Sequence, residues 1–144
     1  MKQQRKGVET MPNWCMNVLT ISGPGHEEMA ALWRAGNAFS AVAPQPETFS
    51  EADLADLEEY GRSTFGPPSS SETPITQEDA WWWWRNKHWG TKWDVDQNSN
   101  VTSTEETTVI WFATAWSPPI GVLRTMSSLY PCLRLRYNQM LCTG

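Results

Sequence analysis

Hydrophobic and polar residues alternate along several short stretches of the chain, as they do in strands that bury one face. Residues 15–22 (CMNVLTIS) form the first of these stretches, and the Gly23-Pro24-Gly25 turn ends it. Residues 107–116 (TTVIWFATAW) are the strongest strand signal in the chain. Because both faces of this stretch are apolar, we expect a central strand that is covered on both sides.

Three further stretches predict strands from a weaker pattern. Residues 132–137 (CLRLRY) alternate between apolar and basic positions, which is typical of a half-exposed strand. Residues 39–43 are short and apolar and predict a brief strand. Residues 91–96 predict another strand, which leads into a turn at residues 97–100. The tail NQMLCTG has little pattern.

Helical spacing of apolar residues appears on either side of the central strand signal. Met29, Leu32 and Trp33 fall at positions i, i+3 and i+4, and Gly36 follows them as a stop signal. After the strand, Ser117 is the predicted N-cap of a helix with proline at its first position. Its apolar residues are Val122, Leu123, Met126, Leu129 and Tyr130, before the stop at Pro131.

The middle of the chain carries two capping-box signatures. Ser50 and Asp53 predict the start of a short acidic helix, EADLADLEEY. The Gly-, Pro- and Ser-rich stretch GRSTFGPPSSSETP that follows predicts a loop. Thr76 begins a T-x-x-D signature that opens a second helix through a tryptophan-rich run, and Gly90 ends that helix.

The tryptophan-rich run at residues 81–93 (WWWWRNKHWGTKW) holds six of the ten tryptophans. Four consecutive side chains on a helix point all round it, because each residue turns by about 100°. No single apolar face can therefore bury all four. We expect either a helix that lies between the sheet and a partner, or one or two indoles at the surface, with Trp82 or Trp83 as the exposed member.

The predicted order is strand, helix, short strand, helical insertion, strand pair, helix and strand. Without the insertion this is the β-α-β-β-α-β order of a ferredoxin-like (split β-α-β) domain, an α+β fold with helices on one face of an antiparallel sheet. We predict a flexible leader at residues 1–10 and one domain at residues 11–144. The acidic, helical and Trp-rich insertion occupies about residues 45–90, and its Trp-rich helix is the expected cover of the other sheet face.

Charge is unevenly distributed along the chain. The net charge is −5, but residues 45–80 hold nine acids against Arg62 alone, which gives −8 and leaves +3 for the remainder. An acidic segment on a mildly basic frame argues against a general nucleic-acid binder, which needs a concentrated basic face.

Cysteine usage and hydropathy indicate a reduced compartment. Cys15, Cys132 and Cys142 have no metal-binding spacing and form an odd set, so we expect buried thiols rather than paired disulfides. The polar start of the chain does not resemble a signal peptide, and no apolar run reaches transmembrane length. We expect a cytoplasmic protein with no membrane contact.

Several motifs occur together in a fixed order: MPNWCMNVLTISG, FSAVAPQP, WRNKHWGTKWD, FATAWSPP and MSSLYP. In this order the chain resembles a family of small phage- and plasmid-borne proteins with a ferredoxin-like (YubB-type) domain, most of which have no assigned function. The resemblance covers roughly residues 11–137. Two departures stand out: Tyr137 leads into NQMLCTG rather than a Tyr-x-Glu-x-Gly pattern, and His88 replaces an asparagine of the family.

The resemblance implies a mobile-element origin and residence in the cytoplasm of a bacterial host, and it implies no reaction. Small accessory proteins of phages and plasmids often bind and inhibit host protein complexes, including CRISPR and related nucleic-acid-handling defence systems. This is an argument from context and not from a site.

Candidate chemistry is sparse. Neither His26 nor His88 has a second ligand at zinc spacing, and the chain has no Gly-rich phosphate loop, so we predict no metal and no cofactor. Asp94 and Asp96 share one face of a predicted strand and could hold Mg²⁺ in a small enzyme, although solvated carboxylates beside a turn are the simpler interpretation. We predict no catalytic residue.

Nucleic-acid binding is the second hypothesis. A ferredoxin-like sheet can stack bases on exposed aromatic side chains, as RNA-recognition modules do. Trp111 is the candidate, or Phe112 and Trp116 on the alternate face, with Arg134 and Arg136 on the last strand nearby. The acidic composition and the lack of an RNP-like pattern oppose this hypothesis, and core tryptophans with solvated arginines are the alternative.

Protein binding is the leading hypothesis: a non-catalytic inhibitor whose acidic helix occupies a basic surface of a host protein or complex. Trp82 and Trp83 are the predicted anchors of that surface. The predicted acidic contacts are Glu51, Asp53, Asp56, Glu58 and Glu59. An ordinary solvated face is the alternative for each acid, and edge strands leave a homodimer open.

The WGTKW and TAWSPP motifs are predicted to be architectural. Gly90 sets a turn, while Trp89, Trp93 and Trp116 are expected to pack against other residues. Lys92 is expected to pair with an acid.

Overall fold

The computed structural model describes residues 13–65, 74–96 and 98–142, without the side chains of residues 141 and 142. The predicted leader at residues 1–10 lies outside the described residues, as does most of the predicted Gly-, Pro- and Ser-rich loop. Nine elements follow one another along the described chain: β1 (Trp14–Ser22), α1 (His26–Ala35), α2 (Ala38–Val42), α3 (Glu51–Phe65), α4 (Ala80–His88), β2 (Asn100–Ser103), β3 (Thr107–Ala115), α5 (Ile120–Leu129) and β4 (Arg134–Cys142).

The four strands form one antiparallel sheet in the order β2-β3-β1-β4. Strand β1 lies between β3 and β4, and β3 lies between β1 and β2, so the crossovers through α1 and α5 each skip one strand. This is the split β-α-β arrangement, and it confirms the predicted α+β class and ferredoxin-like fold.

The helices α1, α2 and α5 cover one face of the sheet. Alternate residues of β1 and β3 point into this layer, because successive side chains of a strand face opposite ways. The fully buried core includes Leu19, Ile21, Trp33, Phe39, Trp89, Ile110, Val122 and Met126.

The buried polar residue Asn17 joins three strands below this core. Its Nδ2 donates to the carbonyl oxygen of Phe112 at 3.2 Å and to Oγ1 of Thr114 at 3.1 Å. Its Oδ1 accepts a hydrogen bond from the Tyr137 hydroxyl of β4. Burial raises the pKa of Tyr137 to about 12, so this hydroxyl remains a donor at neutral pH. A buried amide with its bonds satisfied favours one strand register over its neighbours.

Two predicted strands are wrong. Residues 39–43 belong to helix α2, and residues 91–96 form an irregular segment. The Asp94 carboxylate explains both differences, because it accepts hydrogen bonds from the backbone N–H of Phe39 at 2.8 Å and of Ser40 at 3.0 Å. These bonds satisfy free donors at the start of α2. The strand of this region instead begins at Asn100, inside the predicted turn.

Strand β4 continues through the tail that was predicted to have little pattern. It extends to Cys142, with a register shift opposite Met16 and Asn17, and it places Cys142 across from Cys15. Cys15 is buried and disulfide-bonded, whereas Cys132 is free and exposed. The prediction that the chain has no paired disulfide is therefore wrong, because the unpredicted end of β4 brings a second cysteine to the register of Cys15.

The pattern predicted that the Trp-rich helix covers the second face of the sheet, and this prediction is wrong. Helix α4 packs against α3 and α5, on the side of the helical layer. Trp89, just after it, is fully buried 5.7 Å from the ring of Phe39, and its Nε1 donates to the carbonyl oxygen of Ala43 at 2.9 Å. This anchored indole draws α4 to the core side.

The predicted helix starts are correct at one of three positions. Ser50 and Asp53 form the reciprocal capping box, with bonds of 3.0 and 2.9 Å, and α3 then continues past its predicted end to Phe65. Thr76 bonds the Asp79 carboxylate, but α4 begins only at Ala80. Ser117 is not the N-cap of α5: its hydroxyl donates to the carbonyl oxygen of Gly90, and Pro119 precedes the first turn.

Candidate functional site

The sheet face opposite the helical layer carries no helix among the described residues. We call this surface the open face. Its side chains are half-buried or exposed, and none of the described ones is a carboxylate. The outward positions are Trp14, Met16, Val18, Thr20 and Ser22 on β1, Asn100 and Thr102 on β2, Thr107, Val109, Trp111 and Ala113 on β3, and Arg134, Arg136 and Asn138 on β4.

Trp111 lies near the centre of the open face. It is the fifth of nine residues in the interior strand β3, and its side chain is 46% exposed. Its register partners are Val18 on β1 and Asn100 on β2, and Asn138 lies one strand further, across Val18. An exposed indole between small or polar neighbours offers a flat apolar surface.

The two arginines of β4 stand on the same face as Trp111. Arg136 pairs with Thr20, whose other partner is Val109, so it lies one row along from Trp111. Strands β3 and β4 are two interstrand spacings apart, about 10 Å, and same-face rows are about 7 Å apart. Arg134 lies one row beyond Arg136. The sheet therefore brings together the three residues of the nucleic-acid hypothesis.

The prediction that β3 is covered on both sides is wrong. Phe112 is buried in the core with 2% exposure, so it is not available for stacking, whereas Trp111 faces outward. The outer face of β3 is apolar because Trp111 and Val109 lie on it, and no described helix packs against these two residues.

The structure separates the five predicted acidic contacts into two groups. Three of them bond to their own neighbourhood: Asp53 closes the Ser50 capping box, Glu58 accepts from the Ile75 backbone N–H at 3.2 Å, and Glu59 pairs with Arg62 at 3.0 Å. The hydrogen bond from Arg62 lowers the pKa of Glu59 below its ordinary value.

The other two acids, Glu51 and Asp56, are exposed on α3. Helix α3 packs against α4 and not against the sheet, so these carboxylates do not belong to the open face. Only these two of the five predicted acids are available for a partner without the loss of a local bond in the described structure.

All four consecutive tryptophans are half-buried, so neither Trp82 nor Trp83 is the exposed member that the pattern predicted. The reason is the length of α3, whose last turn reaches the run. Phe65 lies 5.8 Å from the ring of Trp83 and 6.4 Å from that of Trp82. Phe65 is itself 61% exposed and caps an aromatic cluster that also contains Tyr60.

In the described part of the chain, the Asp94 and Asp96 carboxylates accept bonds from backbone N–H groups and are not grouped with further metal ligands. Asp94 caps α2 through the bonds described above, and Asp96 Oδ1 accepts from the Asn98 backbone N–H at 2.9 Å. Within residues 13–65, 74–96 and 98–142, no group of three or more His, Cys, Asp or Glu side chains is placed to hold a metal ion.

The prediction that three tryptophans pack is correct for Trp89, which is buried, and wrong for Trp116, which is 53% exposed. Trp93 packs on one side against Trp14, with ring centres 6.0 Å apart, and is 40% exposed. The Lys92 ammonium has no carboxylate at ion-pair distance among the described residues; it lies 4.7 Å from the ring centre of Trp93 and 5.9 Å from that of Trp116. The sequence contains one signal of the exposure of Trp116. This residue lies between the end of a strand and a Ser-Pro-Pro turn, where the alternation of apolar and polar residues ends.

The described helices are all too short or too polar to cross a membrane. The longest, α3, has 15 residues, five of them acidic.

One comparison with known proteins bears on the fold. Residues 88–143 match the family model described as the ferredoxin-like domain in Api92-like protein. The matched segment runs from the end of α4 through β2, β3 and α5 to β4, and so includes Trp93, Trp111, Trp116 and both arginines of the open face. No curated protein and no solved structure matches the chain. The C-terminal part of the chain is therefore similar to the ferredoxin-like domain of Api92-like proteins.

Proposed function

We propose that the protein is a non-catalytic binding protein that holds a single strand of nucleic acid on its open face. The observation that supports this most strongly is the half-exposed Trp111 at the centre of a face with two arginines and, among the described residues, no carboxylate. Stacking of one base on an aromatic side chain contributes about 1–3 kcal/mol and tolerates any sequence. Arg134 and Arg136 supply phosphate contacts beside it.

The acidic composition of the chain is compatible with this proposal because of where the acids lie. Most of the negative charge belongs to residues 45–80, and their described helix α3 packs on α4 rather than on the sheet. Repulsion from such distant charges is screened at about 0.1 M salt, where the Debye length is about 10 Å.

Replacing Trp111 by alanine should weaken binding of a 20-nucleotide single strand by about 5- to 150-fold, because one stacked base is lost. Fluorescence anisotropy with labelled DNA and RNA at low salt measures this. Tyr130→Ala is the control, since Tyr130 is an exposed aromatic residue at the end of α5 in the helical layer. If the unchanged protein shows no anisotropy shift with either strand, the open face is not a nucleic-acid site.

The double variant Arg134→Gln/Arg136→Gln should reduce the salt dependence of binding. Each phosphate contact to a single strand contributes about 0.7 to the slope of log K against log salt, so the slope should fall by about 1.4. The matched control is Arg34→Gln/Arg124→Gln, which removes two exposed arginines of α1 and α5. Equal slopes in the two double variants would show that the arginines of the open face make no phosphate contacts.

We also propose a second candidate function, inhibition of a host protein complex by the acidic helix α3. The observation in its favour is the exposed Phe65 beside Trp82, at the end of a helix that displays Glu51 and Asp56. An aromatic anchor on the same helix as two exposed carboxylates suits an extended partner with a basic surface. This second candidate function includes a phage or plasmid origin, a YubB-type relationship and a bacterial cytoplasmic location. Its target would be a defence complex such as CRISPR.

Charge reversal at the two free acids tests this second candidate. Glu51→Lys/Asp56→Lys should abolish recovery of a protein partner from a nuclease-treated host lysate, while the fold is retained because neither acid bonds within the described structure. Glu27→Lys/Glu28→Lys is the control, since it makes the same charge change on the exposed side of α1. A partner recovered equally by both variants contradicts the acidic-surface model.

A further inference from the structure

Trp116 has a backbone conformation that its side chain disfavours. Its φ of 71° makes it the only residue other than glycine with a positive φ among the described residues. A left-handed conformation is uncommon for a bulky residue, and glycine adopts it without strain. The Trp116 side chain is 53% exposed, so burial gives little compensation. The Trp116 backbone N–H donates to the Asn13 carbonyl oxygen at 2.6 Å, which holds this conformation, and outliers of this kind cluster at functional sites.

Trp116 forms one wall of a cavity of about 260 Å³, which we call the Trp116 pocket: Trp82, Asn86, Lys92, Ala115 and Trp116. This volume is well above the ~10–15 Å³ that a single water molecule needs on the same measure, so a planar ring has room. Two indoles line the pocket, and an aromatic ring of a ligand gains most from such walls by stacking.

Polar groups of the Trp116 pocket suit a nucleotide. Asn86 Nδ2 donates to the Trp82 carbonyl oxygen at 2.8 Å, which fixes the amide and leaves its Oδ1 for the edge of a base. The Lys92 ammonium stands over the faces of Trp93 and Trp116 without a carboxylate partner in the described chain. A lysine held this way presents a positive charge to a phosphate.

The Trp116 pocket shares Ala115 with a second cavity that borders the open face. This cavity of about 350 Å³ is also lined by Trp14, Trp93, Ala113, Asp94 and Asp96. Ala113 lies two residues from Trp111 on the same side of β3. A strand that runs from the open face to the Trp116 pocket crosses this second cavity, where the Asp94 and Asp96 carboxylates already accept backbone N–H bonds.

We propose that the Trp116 pocket receives one base of the single strand that the open face binds, with Lys92 on its phosphate. This inference rests on the proposed nucleic-acid function. Trp111 and Ala115, the strand residue that lines the pocket, are four residues apart in β3, about 13 Å along an extended strand, which corresponds to about four nucleotides at the stacked spacing of ~3.4 Å. A ligand must therefore have a minimum length to contact both Trp111 and the pocket, and the pocket lies at one end of the path of the strand across the open face.

Trp116→Gly is the decisive variant, since glycine accepts the positive φ and the variant should unfold at the same temperature as the unchanged protein or a higher one. Its affinity for a ten-nucleotide oligothymidylate or oligouridylate should fall about 5- to 150-fold. Lys92→Gln should lower the salt slope by about 0.7 for the same strands. Tyr130→Ala, which alters an exposed aromatic residue of the helical layer, should leave both quantities unchanged.

Length dependence separates this inference from the function on which it rests. A stacked three-nucleotide strand cannot reach both tryptophans, so Trp116→Gly should weaken binding of a ten-nucleotide strand and leave binding of a three-nucleotide strand unchanged. For the ten-nucleotide strand, Trp111→Ala and Trp116→Gly together should weaken binding by more than either change alone. If Trp111→Ala weakens binding but Trp116→Gly does not, the open face binds nucleic acid and the pocket inference is wrong. If the unchanged protein binds no strand, the proposed function fails and the inference falls with it. A shift from dimer to monomer in Trp116→Gly without nucleic acid would instead assign Trp116 to contact between two copies of the chain.

Discussion

Replacing Trp89 by phenylalanine should lower the free energy of unfolding by about 2–4 kcal/mol, the combined loss of ring packing and of one buried hydrogen bond. Trp89 is fully buried, and its Nε1 donates to the carbonyl oxygen of Ala43 across 46 residues of sequence. Phenylalanine leaves that carbonyl without its donor. Because this bond ties the end of α4 to the segment after α2, we expect the loss to be felt by the whole domain.

Trp33→Phe is the matched control for Trp89→Phe. Trp33 is equally buried and contacts the rings of Phe39 and Phe112, but its Nε1 has no hydrogen-bond acceptor in the described structure. Trp33→Phe removes the same ring atoms and also removes a buried donor that has no acceptor. Its free energy of unfolding should therefore fall by about 1–3 kcal/mol less than that of Trp89→Phe. Urea unfolding curves at constant slope measure both values. Equal losses in the two variants would mean that the Trp89 hydrogen bond contributes nothing.

Gly121→Ala should destabilise the protein by about 1–3 kcal/mol, the usual effect of overpacking. In a free helix the same change stabilises by up to about 1 kcal/mol. Here the added Cβ would lie 2.6 Å from the carbonyl oxygen of His88 and 2.9 Å from its carbon. Both are backbone atoms, so α5 must move away from the end of α4 and lengthen the 3.1 Å bond from the Val122 N–H to the Trp89 oxygen.

Gly61→Ala in α3 provides the comparison. The Cβ there would lie 3.0 Å from a ring carbon of Trp83, which belongs to a side chain and can shift. The gain in helix propensity should offset most of the unfavourable free energy of this close contact. The free energy of unfolding should therefore change by no more than about 1 kcal/mol. Thermal unfolding of both variants decides between the two cases. A Gly121→Ala variant as stable as the Gly61→Ala variant would show that the α4–α5 contact tolerates separation.

Local signals were sufficient for much of the fold. The alternation in β1, the apolar spacing in α1 and α5 and the Ser50 capping box depend on neighbours within a few residues, and the structure has each of them where the pattern predicted. The order of these elements was enough to predict a ferredoxin-like sheet, because few topologies connect them without crossing.

Several elements that distant groups stabilise were predicted wrongly. Residues 39–43 are helical because the Asp94 carboxylate, more than 50 residues away, bonds the N–H groups of Phe39 and Ser40. The end of β4 carries no pattern of its own and is held by its register with β1. The position of α4 follows from the burial of Trp89, which a helical-wheel argument does not reveal.

For the candidate site too, some features were predicted from the sequence and others were identified only in the structure. From the sequence, alternation identified Arg134 and Arg136 as outward residues of the last strand, but it left Trp111 open against Phe112 and Trp116 because both faces of that strand are apolar. Their arrangement depends on the tertiary fold. It places Trp111, Arg134 and Arg136 on one face that no described helix covers, it engages Asp53, Glu58 and Glu59 in local bonds, and it exposes Trp93 and Trp116. The physical reason is that exposure and pairing depend on which elements pack together, and helix packing depends on contacts between residues far apart in the chain.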